Sequence, residues 1–354
     1  MTASERSNAT LGGVVIGRNE GERLRACLRS MVPELASVVY VDSGSTDNSL
    51  AIAEEIGVET VELDNSAGFT AARGRNEGAR RLLERSPRVE YIQFVDGDCE
   101  VIDGWVAQAA EFLREHPEVA VVCGRRRERY PRRNWYHRMT DLEWDTPSGE
   151  TKYCGGDALM RVSAFREVDG FRATLIAGEE PELCVRLRKA GWKVWRLDRD
   201  MTWHDVRMSS FRQWWKRTVR SGYAYAEGAR LHGGPPERHC VKELHSIWFW
   251  GVLLPLAGIG LAWPTLGISL VVLAAMYALL FARIARYRMK TRGDSWQDAS
   301  QYALSCVLAK WPQAVGVFES IAHRLTGSEK SLIEYGDTAS GTNQERAIDY
   351  SARS

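Results

Sequence analysis

Residues 247–282 read IWFWGVLLPLAGIGLAWPTLGISLVVLAAMYALLFA and contain no charge. That run limits what the chain can fold into more than any other. It is about twice the ~20 apolar residues that one helix needs to cross a bilayer. Trp263-Pro264-Thr265 near its middle supplies a turn, so the run predicts a helical hairpin, about 246–262 and about 265–282. Both outer flanks are basic: Arg238 and Lys242 precede it, and RIARYRMKTR (283–292) follows it. The turn between the arms is uncharged, so the positive-inside rule puts both outer ends in the cytoplasm. The competing reading is a buried hairpin of a soluble protein, but such helices rarely lack every polar anchor over this length.

The flanking segments complete a domain plan. Residues 233–292 form the transmembrane hairpin with its basic flanks. Residues 300–323 are apolar but interrupted by Lys310, Gln313 and Glu319, with Pro312 set to kink a helix. The stretch 293–335 is therefore expected to hold amphipathic or interfacial helices and not a third span. The polar tail 336–354 is expected to be disordered, and 1–10 to be flexible with no leader-like apolar run.

Residues 11–232 have a different grammar. Short apolar runs, LGGVVIG (11–17), SVVYVD (37–42), VETVEL (58–63), VEYIQFVD (89–96) and VAVVCG (119–124), alternate with stretches of helical spacing. Strands alternating with helices predict an α/β domain around a mostly parallel, Rossmann-like sheet. A GxGxxG dinucleotide fingerprint is missing, because Gly17 is followed by Arg18-Asn19-Glu20. A net charge of +1 gives no global basic field for nucleic acid. Seven scattered Cys without a CxxC pair read as reduced thiols and not as a disulfide or zinc framework.

In open α/β sheets ligands sit at the carboxyl ends of strands. One expected strand ends in Asp42 and another in Asp96-Gly97-Asp98. Two carboxylates flanking one glycine repel each other unless a cation lies near, and hard oxygen ligands of this kind suit Mg2+ or Mn2+. Arg73, Arg75 and Asn76 can reach a diphosphate or a ribose, or can simply face solvent. Glu179, Glu180 and Glu182 open an expected helix, where capping alone accounts for some acids. A proton-abstracting role needs one of them beside an acceptor hydroxyl.

The motifs then add up. RNE after the first strand, VDSGSTD, GFTAARGRNEG, FVDGD, CGGD, GEEPEL and KAGWKV occur in that order. In this the chain resembles the family 2 glycosyltransferases, inverting enzymes of GT-A fold, here with a membrane anchor of bacterial type. The resemblance covers roughly 11–230. It implies that Asp42 meets the nucleotide base or ribose, with Arg73, Asn76 and Asp96 also on the donor. It implies that Asp98, with Asp96, binds the metal, and that His204 in TWHDV adds a ligand. Glu180 is implied as the general base. The family most often has Asp there, so Glu179 stays an alternative. Gly155, Gly156, Asp157 and Trp214 are assigned to the acceptor side.

The expected activity is transfer of one sugar from a nucleoside-diphosphate donor, a UDP-sugar first, using Mg2+ or Mn2+. The expected acceptor is a saccharide or lipid-linked saccharide at the cytoplasmic face of the lipid bilayer, with no nucleic acid involved. QxxRW of processive synthases is not matched by Gln213-Trp-Trp-Lys-Arg. The basic-aromatic segments 130–145 and 209–232 suit a membrane interface, sugar stacking or phosphate binding. Rival readings are a sugar nucleotidyltransferase, which would release pyrophosphate, and a non-catalytic membrane adaptor that kept the fold.

Overall fold

The computed structural model describes residues 10–64 and 68–326. The expectations for residues 1–9 and for the tail 336–354 fall outside these, as does 293–335 beyond 326. Strand β1 (Leu11–Gly17) is flanked by β2 (Ser37–Asp42) and β4 (Tyr91–Asp96), and β3 (Glu59–Glu62) lies outside β2, all parallel. Between them run α1 (Glu22–Met31), α2 (Ser49–Ile56) and α3 (Ala71–Arg85). β1, β2 and β4 are buried on both faces, as parallel strands covered by helices must be, whereas the edge strand β3 is half-exposed. Val14, Val15, Tyr40, Val41, Phe94 and Val95 are fully buried.

Beyond β4 the sheet changes character. After β5 (Cys99–Val101), α4 (Trp105–Glu115), β6 (Val119–Glu128), α5 (Trp135–Trp144) and β7 (Gly149–Glu150) comes β8 (Ala158–Arg161), which runs antiparallel to both β4 and β6. Helices α6 (Val162–Glu167) and α7 (Glu179–Lys189) lead to β9 (Lys193–His204). β9 pairs parallel with β6 and antiparallel with β5 and β7. The sheet order is β3-β2-β1-β4-β8-β6-β9-β5. The expected mostly parallel sheet is thus corrected to a mixed one. The parallel run is broken by β8, which enters antiparallel between β4 and β6, and by β5 and β7, which pair antiparallel with β9.

Helix α8 (Phe211–His232) opens with a capping box in which Ser210 and Gln213 satisfy each other's backbone N–H. A helical run follows: α9 (Val241–Ile247), a π-helical stretch Trp248–Leu253, then α10 (Leu254–Gly260). The chain turns and returns as α11 (Ile268–Arg292), packed on α10 through Ser269 Oγ donating to Gly258 O at 2.7 Å. The first arm therefore begins earlier than expected, at 241, and the second continues ten residues beyond 282 through its basic segment. By length and composition α11 is the one helix among the described residues that can cross a membrane. The arms are not a buried core hairpin: Leu256, Ile259, Val271 and Leu279 are 64–70% exposed.

Helices α12 (Trp296–Leu308) and α13 (Lys310–Thr326) complete the described chain. Pro312 falls in the first turn of α13, where its missing N–H costs nothing, so it starts a helix and does not kink one. One face of α13 docks on α8, while Val315, Phe318 and Leu325 of the same helix stay exposed. Gly316 lies against the backbone at Val219 and Gly222 against the backbone at Gln313. No side chain fits at either crossing point, so the two helices approach through glycine on both sides.

Candidate active site

Three neighbouring strands bring the chemistry together. The β5–β9 ladder sets Cys99 opposite His204, and the β9–β6 ladder sets His204 opposite Glu128. Asp98, one residue before β5, thus lies beside the end of β9, its Oδ2 at 3.0 Å from His204 Nε2. Burial pulls the imidazole pKa down, but the Asp98 charge and hydrogen bond, with Glu128 behind, raise it more, to about 9. The same imidazole, with Arg23 at 3.8 Å, overcomes burial and holds the Asp98 carboxyl well below the usual range.

This donor set fits a divalent cation of the Mg2+ or Mn2+ kind: one carboxylate and one imidazole converge, with Glu20 beside them. Glu20 is pushed up to about 7 by burial and by Asp98. Crowded, buried carboxylates are pushed up in this way. Cys99 also touches Asp98, at 3.4 Å, but burial raises its thiol far above the ordinary value, so it stays a neutral thiol.

Asp96 has different partners. Arg75 Nη2 donates to its Oδ1 at 2.7 Å, and Arg126 Nη2 to its Oδ2 at 3.1 Å. These guanidiniums overcome the burial of Asp96 and depress its pKa. The repulsion between Asp96 and Asp98 is therefore relieved by two separate sets of protein cations. Arg126 is aimed inward by strand alternation: Arg125 and Arg127 on the opposite face of β6 turn to Asp141. Register shifts in β6 on either side of Arg125 sharpen that aim.

The CGGD segment lies under this cluster. A Cβ on Gly156 would stand 2.6 Å from Asp96 Oδ2 and 2.8 Å from Arg75 Nη2, so only glycine leaves them room. Gly155 is exposed with open space around it. Asp157 is fully buried, and the acceptor-side expectation for it is corrected. Its carboxylate accepts from Arg126 Nε (2.9 Å), Thr202 Oγ1 (2.7 Å) and the Asp96 N–H (3.1 Å), so it braces Arg126 and Asp96 from below.

Helix α7 delivers the two candidate bases. Gly178, at φ 80°, turns the chain so that Glu179 and Glu180 open the helix. Glu179 is 4% exposed and accepts from Arg75 Nη1 at 2.9 Å. Glu180 lies 3.3 Å from Arg75 and keeps an open side. Burial and the adjacent Glu179 push its carboxyl up to about 7 against the pull of Arg75. Glu180, Asp98 and His204 face one cleft of ≈ 400 Å³, walled by Trp144 and by Gln213, Arg217 and Arg220 of α8.

Other expected site residues are engaged elsewhere. Asp42 is 1% exposed, and its oxygens accept from Tyr40, Ser45 and the N–H groups of Gly44 and Ser45, so a base or ribose would have to share it. Arg73 is corrected to a loop brace, its guanidinium on the carbonyls of Asp64 and Gly68. Asn76 is likewise corrected: its amide clamps the Phe171 backbone, donating to O at 2.7 Å and accepting from N at 2.9 Å. Trp214 is 2% exposed, packed against Trp135 and Phe211, and cannot stack on a sugar. Glu20, Arg126, Glu128 and Trp144 were not singled out from the sequence. Glu20 and Trp144 lay inside quoted segments, RNE and 130–145, and Arg126 shows in the alternation of RRRE.

Comparison with known proteins agrees with this geometry. Residues 14–169 match the family model for glycosyl transferase family 2. The chain is 24% identical over 218 residues to the succinoglycan biosynthesis protein ExoA of Rhizobium meliloti, covering 56% of this chain and 64% of that protein. It is 26% identical over 328 residues to the pre-mycofactocin glycosyltransferase of Mycobacterium tuberculosis, covering 85% and 65%. It thus spans a little under two thirds of the length of these curated relatives. Among solved structures it is similar to the mannosyltransferase PcManGT of Pyrobaculum calidifontis, determined with GDP-Man and Mn2+. There the TM-score is 0.55 at 18% identity over 87% of both chains, a likeness of fold alone. Motif order, the mixed sheet and the match over residues 14–169 together give the chain a GT-A fold and a likeness to the family 2 glycosyltransferases over that stretch.

Proposed function

We propose that the chain transfers a single hexose from a nucleoside-diphosphate-sugar to an acceptor hydroxyl with inversion, at the cytoplasmic face of a membrane. The observation that carries this reading is the cleft in which Glu180, with a pKa near 7, faces the Asp98–His204 pair. Glu180 takes the proton of the acceptor hydroxyl, and the oxygen attacks the anomeric carbon from the face opposite the diphosphate. Glu179, held by Arg75, keeps the neighbouring charge fixed. Asp98 and His204 would hold a divalent cation, whose chemistry when bound is to neutralise charge on the departing diphosphate. Arg217 and Arg220 line the same cleft and add positive potential for phosphate oxygens.

The exposed apolar faces of α10 and α11 and the basic end of α11 support a membrane anchor with the catalytic domain in the cytoplasm. A lipid-linked saccharide acceptor follows from that tether. The likeness to a succinoglycan biosynthesis protein supports a setting in exopolysaccharide or cell-envelope glycan assembly. The test uses the full chain in detergent, offered UDP-, GDP- and dTDP-sugars with Mn2+, with release of nucleoside diphosphate as readout. One donor is expected to be consumed, and Asp98→Ala and Glu180→Gln to abolish consumption. Release of pyrophosphate, or no donor bound with or without metal and lipid extract, would overturn the reading.

A further inference from the structure

Behind His204 lies a buried group that the proposed reaction does not use directly. Glu128 is fully buried, one strand away from His204 and in register with it. Its Oε1 accepts from His137 Nδ1 at 2.7 Å and from the Tyr130 N–H at 3.1 Å. Its Oε2 accepts from the Val206 N–H at 3.1 Å and faces His204 Nδ1 at 3.8 Å. His204 is 8% exposed, yet its Nδ1 has no hydrogen-bond partner. Its Nε2 side is taken by Asp98, and the edge-on ring of Trp144, 5.0 Å away, fixes the plane.

We propose that Glu128, braced by His137, is the positioning residue that makes His204 a metal ligand. This rests on the reading of Asp98 and His204 as the cation site. An imidazole that ligates through Nε2 must be neutral and carry its hydrogen on Nδ1, and a buried N–H needs an acceptor. Glu128 Oε2 is the carboxylate oxygen that faces it. A closure of about 1 Å would bring the pair to the usual ~2.9 Å. His137 and the two backbone N–H groups satisfy the rest of the Glu128 carboxylate, so it is held as an anion with one direction left to serve. Burying such a carboxylate for packing alone would be costly. The ladder gives the arrangement its direction: Asp98 and Cys99, then His204, then Glu128 follow one another across three adjacent strands.

The test uses Mn2+ alone on the full chain in detergent and needs no turnover. Free Mn2+ is titrated by electron spin resonance, and the bound ion is examined for 14N modulation of its spin echo, which reports an imidazole ligand. Wild type is expected to bind one Mn2+ with 14N modulation. Glu128→Gln is expected to weaken binding about 10- to 100-fold. It should also lose the 14N signature while Asp98 still holds the residual ion. His137→Asn, which leaves Glu128 in place but unbraced, should give a smaller loss and serves if Glu128→Gln does not fold. Unchanged affinity and modulation in both variants would sink the proposal. So would a second Mn2+ in wild type that disappears with Glu128→Gln, since Glu128, His137 and Asp205 would then themselves be ligands. A wild type that binds no Mn2+ would instead remove the metal reading on which the proposal stands.

Discussion

Arg75 is the residue on which the charge balance of the site turns, and replacing it with Met tests that balance. The guanidinium is 2% exposed and reaches Asp96 at 2.7 Å, Glu179 at 2.9 Å and Glu180 at 3.3 Å. Met keeps much of the volume but gives up the cation–π contact that the guanidinium makes over the Phe171 ring at 5.5 Å. It removes the cation from three acids. Breaking a buried ion pair by deleting one partner costs about 3–5 kcal/mol, because the remaining charge stays buried. Arg126 still covers one oxygen of Asp96, so the loss falls chiefly on the two glutamates. At about 2–4 °C per kcal/mol for a domain of this size, the apparent melting temperature should drop by roughly 6–20 °C near pH 8.

The pH dependence gives the sign. Burial and Glu179 already hold the Glu180 carboxyl up at about 7 in the wild type, and without the pull of Arg75 it rises further. The extra deficit relative to wild type therefore opens as pH climbs past about 7, where the wild-type Glu180 ionises, and closes on acidification. Thermal melts followed by circular dichroism at pH 5 and pH 8 read this directly. A deficit below about 1 kcal/mol, or one as large at pH 5 as at pH 8, would show that Arg75 is a packing residue and would refute the argument.

Three further outcomes follow from the same geometry. Donor consumption should rise with pH through about 7 and level off above it, because Glu180 acts as a base only when ionised; Glu180→Gln should cut the rate about 10²- to 10⁴-fold and abolish that limb of the profile. Gly156→Ala should leave the fold intact by circular dichroism but lower the rate at least about tenfold, since its methyl group would displace the Asp96 carboxylate. Asn76→Ala should cost about 1–3 kcal/mol in denaturant unfolding through loss of the Phe171 clamp, with the donor Kd unchanged by calorimetry.

Much of this was legible in the sequence for a simple reason. Parallel strands buried on both faces, such as SVVYVD and YIQFVD, are continuous apolar runs, and the acids that end them stand at the strand tips. Asp98 was therefore visible as a site candidate, while Glu180, which opens α7, came only from the family resemblance. Trp214 was misplaced because the basic neighbours of FRQWWKR suggest a surface. Helical spacing tells otherwise, since Trp214, Thr218, Gly222 and Ala226 recur at intervals of four and all are buried. Asn76 and Arg73 sit beside Arg75 in one motif, but a helix sends adjacent side chains in different directions, and only Arg75 points inward.

The part that stayed hidden is what the ladders create. The sheet is mixed because β8 inserts antiparallel between β4 and β6, and the four residues ALMR carry no signal of direction. Asp98, His204 and Glu128 come from distant parts of the chain, and no local pattern ties them. Their adjacency follows from the register of β5, β9 and β6, in which one slipped residue would turn His204 to the opposite face. Glu128 in RRRERY looks like one more solvated charge, yet three donors converge on it inside the protein. A metal ligand can be guessed from its residue type and its place at a strand end. The group that aims it becomes visible only once the neighbouring strand is known.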